Sequence, residues 1–137
     1  MAVRAMLLIL GLFHLGNGLV MLTAPMAWYV AVPGVSLTGS PNHHFIADIG
    51  LAFVASGVGL VLGARTGICA AAWAAAGAAW PALHGLLHIW GWFAHGFPTT
   101  GPVIVSEVVG VVGVGALGVA LAWIRNQQAN KREGAHP

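Results

Sequence analysis

The chain has 137 residues, of which 58% are hydrophobic and only 6% charged, and its mean hydropathy is +0.86. Soluble domains carry about 25% charged residues, so these side chains cannot clothe a water-soluble globule, and the same hydrophobicity excludes a disordered chain. The net charge is +2 with the five basic residues scattered, which leaves no phosphate-tracking patch for nucleic acid, and one cysteine, Cys69, gives no disulfide framework within the chain.

A membrane-crossing helix needs about 20 apolar residues, and four runs of that length follow one another. The first covers 3–21 and ends at Thr23-Ala24-Pro25. Its opening, Arg4 before Met6-Leu7-Leu8-Ile9-Leu10, imitates a secretory signal. His14 and Asn17 interrupt the run, and no pair of small residues sits at cleavage spacing near Ala24 or Ala27, so it reads as a retained span. Loop 24–44 carries Pro25, Pro33-Gly34, Gly39 and Pro41 and is expected to fold back as a cap. The second run, 45–63, is broken only by Asp48, and Arg65-Thr66-Gly67 turns the chain into the third. That run, 68–93, is rich in Ala and Trp and should kink at Pro81, where a backbone donor is missing. The fourth, 103–124, is broken only by Glu107, and the polar tail 126–137 is expected to fray.

These runs predict an all-α, four-transmembrane-helix bundle forming one membrane domain over 1–125. Arg4, Arg65, Arg125, Lys131 and Arg132 all fall on one side of such a bundle, whereas loops 24–44 and 94–102 contain no Lys or Arg. The positive-inside rule then places both termini in the cytoplasm. The aromatic belt agrees, with Trp28, Tyr29, Trp90 and Trp92 at outer ends and Trp123 at an inner one.

Helical spacing sorts each span into faces. Asp48 shares a face with His44, Ala52, Ala55, Gly59 and Gly63; Trp73, Gly77, Trp80, His84, His88 and Gly91 form another; Glu107 lies with Gly110, Val114 and Gly118; His14 lies with Leu7, Gly18 and Met21, and Asn17 is adjacent. Small residues let helices approach closely in lipid, so the polar residues are expected to face neighbouring helices. A rise of about 1.5 Å per residue puts Asp48 and Glu107 about 6 Å inside the outer helix ends. Six of the seven histidines and both intramembrane carboxylates lie from mid-membrane outward; His136 is the exception.

Asp48, His84, His88 and Glu107 are therefore expected to converge in one outer cluster, with His44 and Asn17 beside them. Ionisable groups inside a membrane call for partners. Imidazole with carboxylate is a ligand set for a transition metal, here His44, Asp48, His84, His88 and Glu107. The same residues also read as a haem site, as a polar pocket for a quinone lined by Asp48, His84, His88, Glu107 and Asn17, as a proton path, or as a hydrogen-bond network that only holds the helices together. His14 is expected to bond a backbone carbonyl or Asn17, His43 to be solvated, and Cys69 to be a small packing residue. No nucleophile elbow or phosphate-binding glycine loop is present, so no reaction is assigned.

Arg4 with Gly11, Gly16-Asn17-Gly18 and Pro25, followed by Asp48-Ile49-Gly50 and Gly57, resembles the DoxX-like superfamily of small four-helix membrane proteins. Gly96-Phe97-Pro98 followed by Glu107 is similar to an uncharacterised branch of it, and the resemblance covers 4–122. It implies a multi-pass protein of the bacterial inner membrane. It also implies a link to quinone-coupled redox chemistry and a redox enzyme partner, because named members accompany a thiosulfate-oxidising, quinone-reducing enzyme. His84, His88 and Asn42-His43-His44 do not belong to the general pattern.

The reading is thus a small membrane subunit with a periplasm-facing His/carboxylate cluster that binds a metal, a redox cofactor or a quinone. The competing reading is a non-catalytic scaffold or assembly protein; a proton-coupled transporter is disfavoured by the apolar inner half. Reporter fusions at Gly39 and at the C-terminus should report opposite sides of the membrane, and the same side for both refutes the four-span model.

Overall fold

The structure, a computed structural model, describes residues 1–133; the end of the predicted tail, with His136, lies outside the described residues. Among the described residues the chain is all-helical, without a strand. Helix α1 spans Ala2–Thr23, α2 Pro25–Ala31, α3 His43–Gly63 and α4 Ala70–His95. The last arm starts as α5 (Gly101–Ile104), widens into a π-helical segment (Val105–Gly113) and continues as α6 (Val114–Glu133). Three helices, Ala2–Thr23, His43–Gly63 and Gly101–Lys131, are long and apolar enough to cross a membrane. α4 has 26 residues, but small alanine and glycine side chains and polar-tipped Trp and His dilute its apolar character.

Local chemistry sets the ends. Pro25 opens α2, where its missing N–H would have had no partner. Asn42 caps α3 by accepting the Phe45 N–H at 3.1 Å. The tail does not fray at 126 as expected: the helix runs to Glu133, because no Gly or Pro interrupts it before Gly134. Cys69 is also not packed; it is exposed in the turn that leads into α4.

Glycine decides the packing. A Cβ on Gly11 would lie 2.9 Å from the Gly57 carbonyl, and one on Gly18 only 2.6 Å from that of Gly50, so α1 and α3 touch along their length. α3 and α4 touch over the C-terminal half of α3, through Gly59 against Gly77, Gly63 against Ala74 and the ring of Phe53 on Trp80. Beyond that point α4 follows the last arm, through Gly118 on Ala78, Gly115 on Pro81 and Gly85 on Val112. The core of Leu7, Leu10, Leu60, Ala74, Ala78, Leu121 and Ala122 occupies the end where all four arms meet. At that end two arginines serve the unpaired carbonyls of α3: Arg4 Nε donates to Ala64 at 2.7 Å and the buried Arg125 Nε to Gly63 at 3.1 Å. Cations there also oppose the negative end of the α3 dipole. At the other end the α1/α3 pair and the α4/last-arm pair separate.

The outer faces stay apolar. Leu8, Ile9, Leu12, Leu51, Leu83, Leu86, Trp90 and Phe93 are exposed, more apolar surface than a water-soluble monomer tolerates. Pro81 sits inside α4, where its absent N–H leaves the Gly77 carbonyl without its helical donor. The Ser56 hydroxyl supplies the replacement at 2.5 Å.

The same substitution should act in opposite directions at two glycines. Gly16 has open space around it, so Gly16→Ala should stabilise by up to about 1 kcal/mol through helix propensity. A Cβ at Gly59 would stand 2.7 Å from the Gly77 Cα, so Gly59→Ala should destabilise by about 1–3 kcal/mol. Thermal unfolding of the detergent-solubilised variants measures both.

Candidate functional site

Where the two helix pairs separate, they enclose a cavity of about 580 Å³, within the usual size of ligand pockets, about 300–1,000 Å³. α1 contributes Phe13, Asn17 and Met21; α3 contributes Phe45, Ile49 and Phe53. His84 and His88 come from α4, and Ser106 and Glu107 from the π-helical segment. The loop 24–44 closes the mouth with Trp28, Tyr29, Pro33, Gly34 and Thr38, as the expected cap. Its path is tied by the Tyr29 hydroxyl, which donates to the Gly39 carbonyl at 2.5 Å. Gly34 and Gly39 take left-handed φ values of +94° and +130°, which favour glycine.

Two indoles hold the polar side chains. Trp28 Nε1 donates to Asn17 Oδ1 at 2.9 Å, so the cap is pinned to α1. Trp92 Nε1 donates to Glu107 Oε2 at 2.6 Å, and His88 Nδ1 stands 3.4 Å from the same oxygen. His84 stacks on Trp80 with ring centres 4.9 Å apart and meets His88 edge-on at 4.8 Å. Trp80 in turn packs on Phe53, and Phe53 on His14. Rings thus run without a gap from the cavity to the middle of α1. His14 is fully buried and bonds the Leu10 carbonyl through Nδ1 at 2.8 Å, one of the two partners expected for it. A carbonyl only accepts, so Nδ1 carries the proton.

Of the sequence-derived site, His84, His88, Glu107 and Asn17 line one cavity. Asp48 and His44 do not join them. They pair with each other, His44 Nε2 to Asp48 Oδ2 at 3.5 Å, with side chains 90% and 54% exposed. The spacing argument placed Asp48 on the face of α3 that carries Gly59 and Gly63. That face does meet α4, but only over the C-terminal half of α3; at the level of Asp48 α4 has already left for the last arm. The expected metal set of His44, Asp48, His84, His88 and Glu107 therefore splits in two. Among the described residues no three His, Cys, Asp or Glu side chains gather as a metal-holding group. A haem held between two histidines does not fit either, because His84 and His88 stand edge to face one turn apart on the same helix. His43 is exposed, as expected.

Sequence reasoning took Trp28 and Trp92 as membrane-belt residues and missed their indole bonds. Trp92 was within reach of that reasoning, since it follows His88 by four residues and shares its helical face. Trp28 was not, because its partner lies across a chain reversal. In comparisons with family models, curated proteins and solved structures, the chain matches none.

Trp92→Phe removes the indole N–H that donates to Glu107 Oε2 while keeping an aromatic ring in its place. It should lower stability by about 1–2 kcal/mol, read as a lower melting temperature with unchanged helical circular dichroism. An unaltered melting temperature would show that the bond contributes nothing.

Proposed function

We propose that this chain is a four-span protein of the bacterial inner membrane, with both termini cytoplasmic, whose cavity binds a quinone-type lipophile near the periplasmic side. The observation that carries the reading is the cavity itself, apolar along α1 and α3 and polar where His84, His88 and Glu107 meet. A quinone has that division, a flat polar ring on an apolar tail. Ligand sites are commonly apolar pockets with a few placed polar groups. Phe13, Phe45 and Phe53 offer ring faces, and Asn17, His84, His88 and Glu107 offer hydrogen bonds.

Topology rests on compatible features. Arg4, Arg65 and Arg125 collect at one end of the helices, where Arg125 also donates to the Arg65 carbonyl at 2.8 Å. The cavity and its cap, free of Lys and Arg, lie at the other. The positive-inside rule turns that polarity into an orientation. α4 is the fourth span in this reading because it packs against α3 through Gly77 and Ala74 and against the last arm through Ala78, Pro81 and Gly85. The resemblance to the DoxX-like superfamily points the same way and supplies a quinone-linked redox partner as the protein's context. A bound quinone would supply two-electron redox chemistry, and the residues of this chain bind and orient its head group.

Titration of the purified chain with a short-chain benzoquinone, followed by tryptophan fluorescence, should show saturable quenching, since Trp28, Trp80 and Trp92 lie at or beside the cavity. His84→Ala combined with His88→Ala should weaken binding about tenfold or more through lost hydrogen bonds. Absence of saturable quenching in the wild type, with destabilisation by the double substitution, would overturn the reading in favour of a scaffold.

A further inference from the structure

The polar groups of the cavity are not equivalent, and their orientation says what a ligand must present. An indole N–H only donates. The Trp28 bond therefore fixes the Asn17 amide with Oδ1 toward the cap and Nδ2 turned away. The neighbour of Nδ2 is the Met21 sulfur at 3.7 Å, a weak acceptor. Asn17 thus keeps a donor for the cavity that it lines together with Met21.

Glu107 is arranged the other way. Its Oε2 accepts from the Trp92 N–H at 2.6 Å and lies 3.4 Å from His88 Nδ1. Among the described residues no N–H or O–H is directed at Oε1. That oxygen lies beneath the cap, where a Cβ on Gly34 would stand 3.7 Å from it. The carboxylate thus keeps an acceptor at the cavity. The two open valences sit on different helices: a donor from α1 and an acceptor from the π-helical segment.

Resting on the quinone-type reading, we infer that the cavity selects the reduced dihydroxy form, a quinol, over the oxidised quinone. A quinol oxygen accepts from Asn17 Nδ2 as readily as a quinone carbonyl does. At Glu107 the two forms part. A quinol hydroxyl donates to Oε1, the oxygen that no other donor reaches among the described residues. A quinone carbonyl has no hydrogen to give and sets its lone pairs against those of the carboxylate. Trp28 and Trp92 are then positioning residues, which act by holding Asn17 and Glu107 in these orientations.

The test is an anaerobic titration of the whole chain in detergent with one short-chain benzoquinone and with its quinol. The quinol should bind about tenfold more tightly, one hydrogen bond's worth. Glu107→Gln keeps a carbonyl for the Trp92 N–H and turns an amide N–H toward the cavity, so it should abolish or reverse the preference. Asn17→Leu should weaken both forms by a similar factor, because its donor serves either. Equal affinity for the two forms in the wild type, or tighter quinone binding, overturns the inference and leaves the quinone-type site standing. Saturable binding of neither form overturns the quinone-type reading and the inference with it. The wild-type comparison decides the matter even where Glu107→Gln fails to fold.

Discussion

At Gly59 and Gly77 the main chains of α3 and α4 touch: a Cβ on Gly77 would lie 2.5 Å from the Leu60 nitrogen, and one on Gly59 2.7 Å from the Gly77 Cα. In lipid no hydrophobic force draws helices together, so packing contact between small residues must do it. Where such contacts end, helices are free to part. α1 and α3 stay in contact through Gly11/Gly57 and Gly18/Gly50, and α4 stays with the last arm through Gly118, Gly115 and Gly85. The link between these two pairs, α3 to α4, holds at one end only. The cavity is the gap left at the other end, with Phe53 and Trp80, ring centres 4.7 Å apart, spacing the two pairs at its floor.

This division explains how far the sequence could be read. The four long arms were visible as apolar runs, and their observed ends differ from 3–21, 45–63, 68–93 and 103–124 by a few residues, apart from the tail. His84 and His88 were visible as a pair one helical turn apart, and Glu107 and Asn17 as polar breaks in apolar runs. Asp48 was a break of the same kind, and nothing in its local spacing distinguishes it from Glu107. The difference lies in where two other helices separate, which depends on contacts between residues far apart in the chain. Periodicity reports which face a residue occupies; it does not report how far along that face a neighbour continues. The indole bonds of Trp28 and Trp92 were hidden for a related reason, since belt tryptophans and bonded ones have the same sequence signature.

The polar groups of the interior are mostly accounted for by short, specific bonds. Pro81 removes a helical donor, and Ser56 repairs the loss at the carbonyl of Gly77, the residue at which α3 and α4 touch. The hydroxyl reaches that carbonyl only because the two main chains approach so closely, so the glycine contact and the proline depend on one another. Arg4 and Arg125 do the equivalent work for the last carbonyls of α3. His14 is the exception. Its Nε2 is buried and has no hydrogen-bond partner among the described residues, a cost to stability that its bond to Leu10 offsets only in part.

Glu107 stands in an irregular stretch of backbone. An α-helix spaces residues by 100°, which would keep Glu107 in one line with Gly110, Val114 and Gly118. The π-helical segment Val105–Gly113 makes wider turns than that. Gly118 lies on Ala78 and Gly115 on Pro81, between the helices, and Glu107 and Gly110 line the cavity. β-Branched valines crowd the preceding turn of an ordinary helix, and this segment carries five of them beside two glycines. Wide π turns recur at functional positions because they re-aim one side chain without ending the helix. Here the segment carries the carboxylate that meets His88 and Trp92 of α4. The last arm can therefore pack tightly on α4 and still present an acid to the space that the helices leave open.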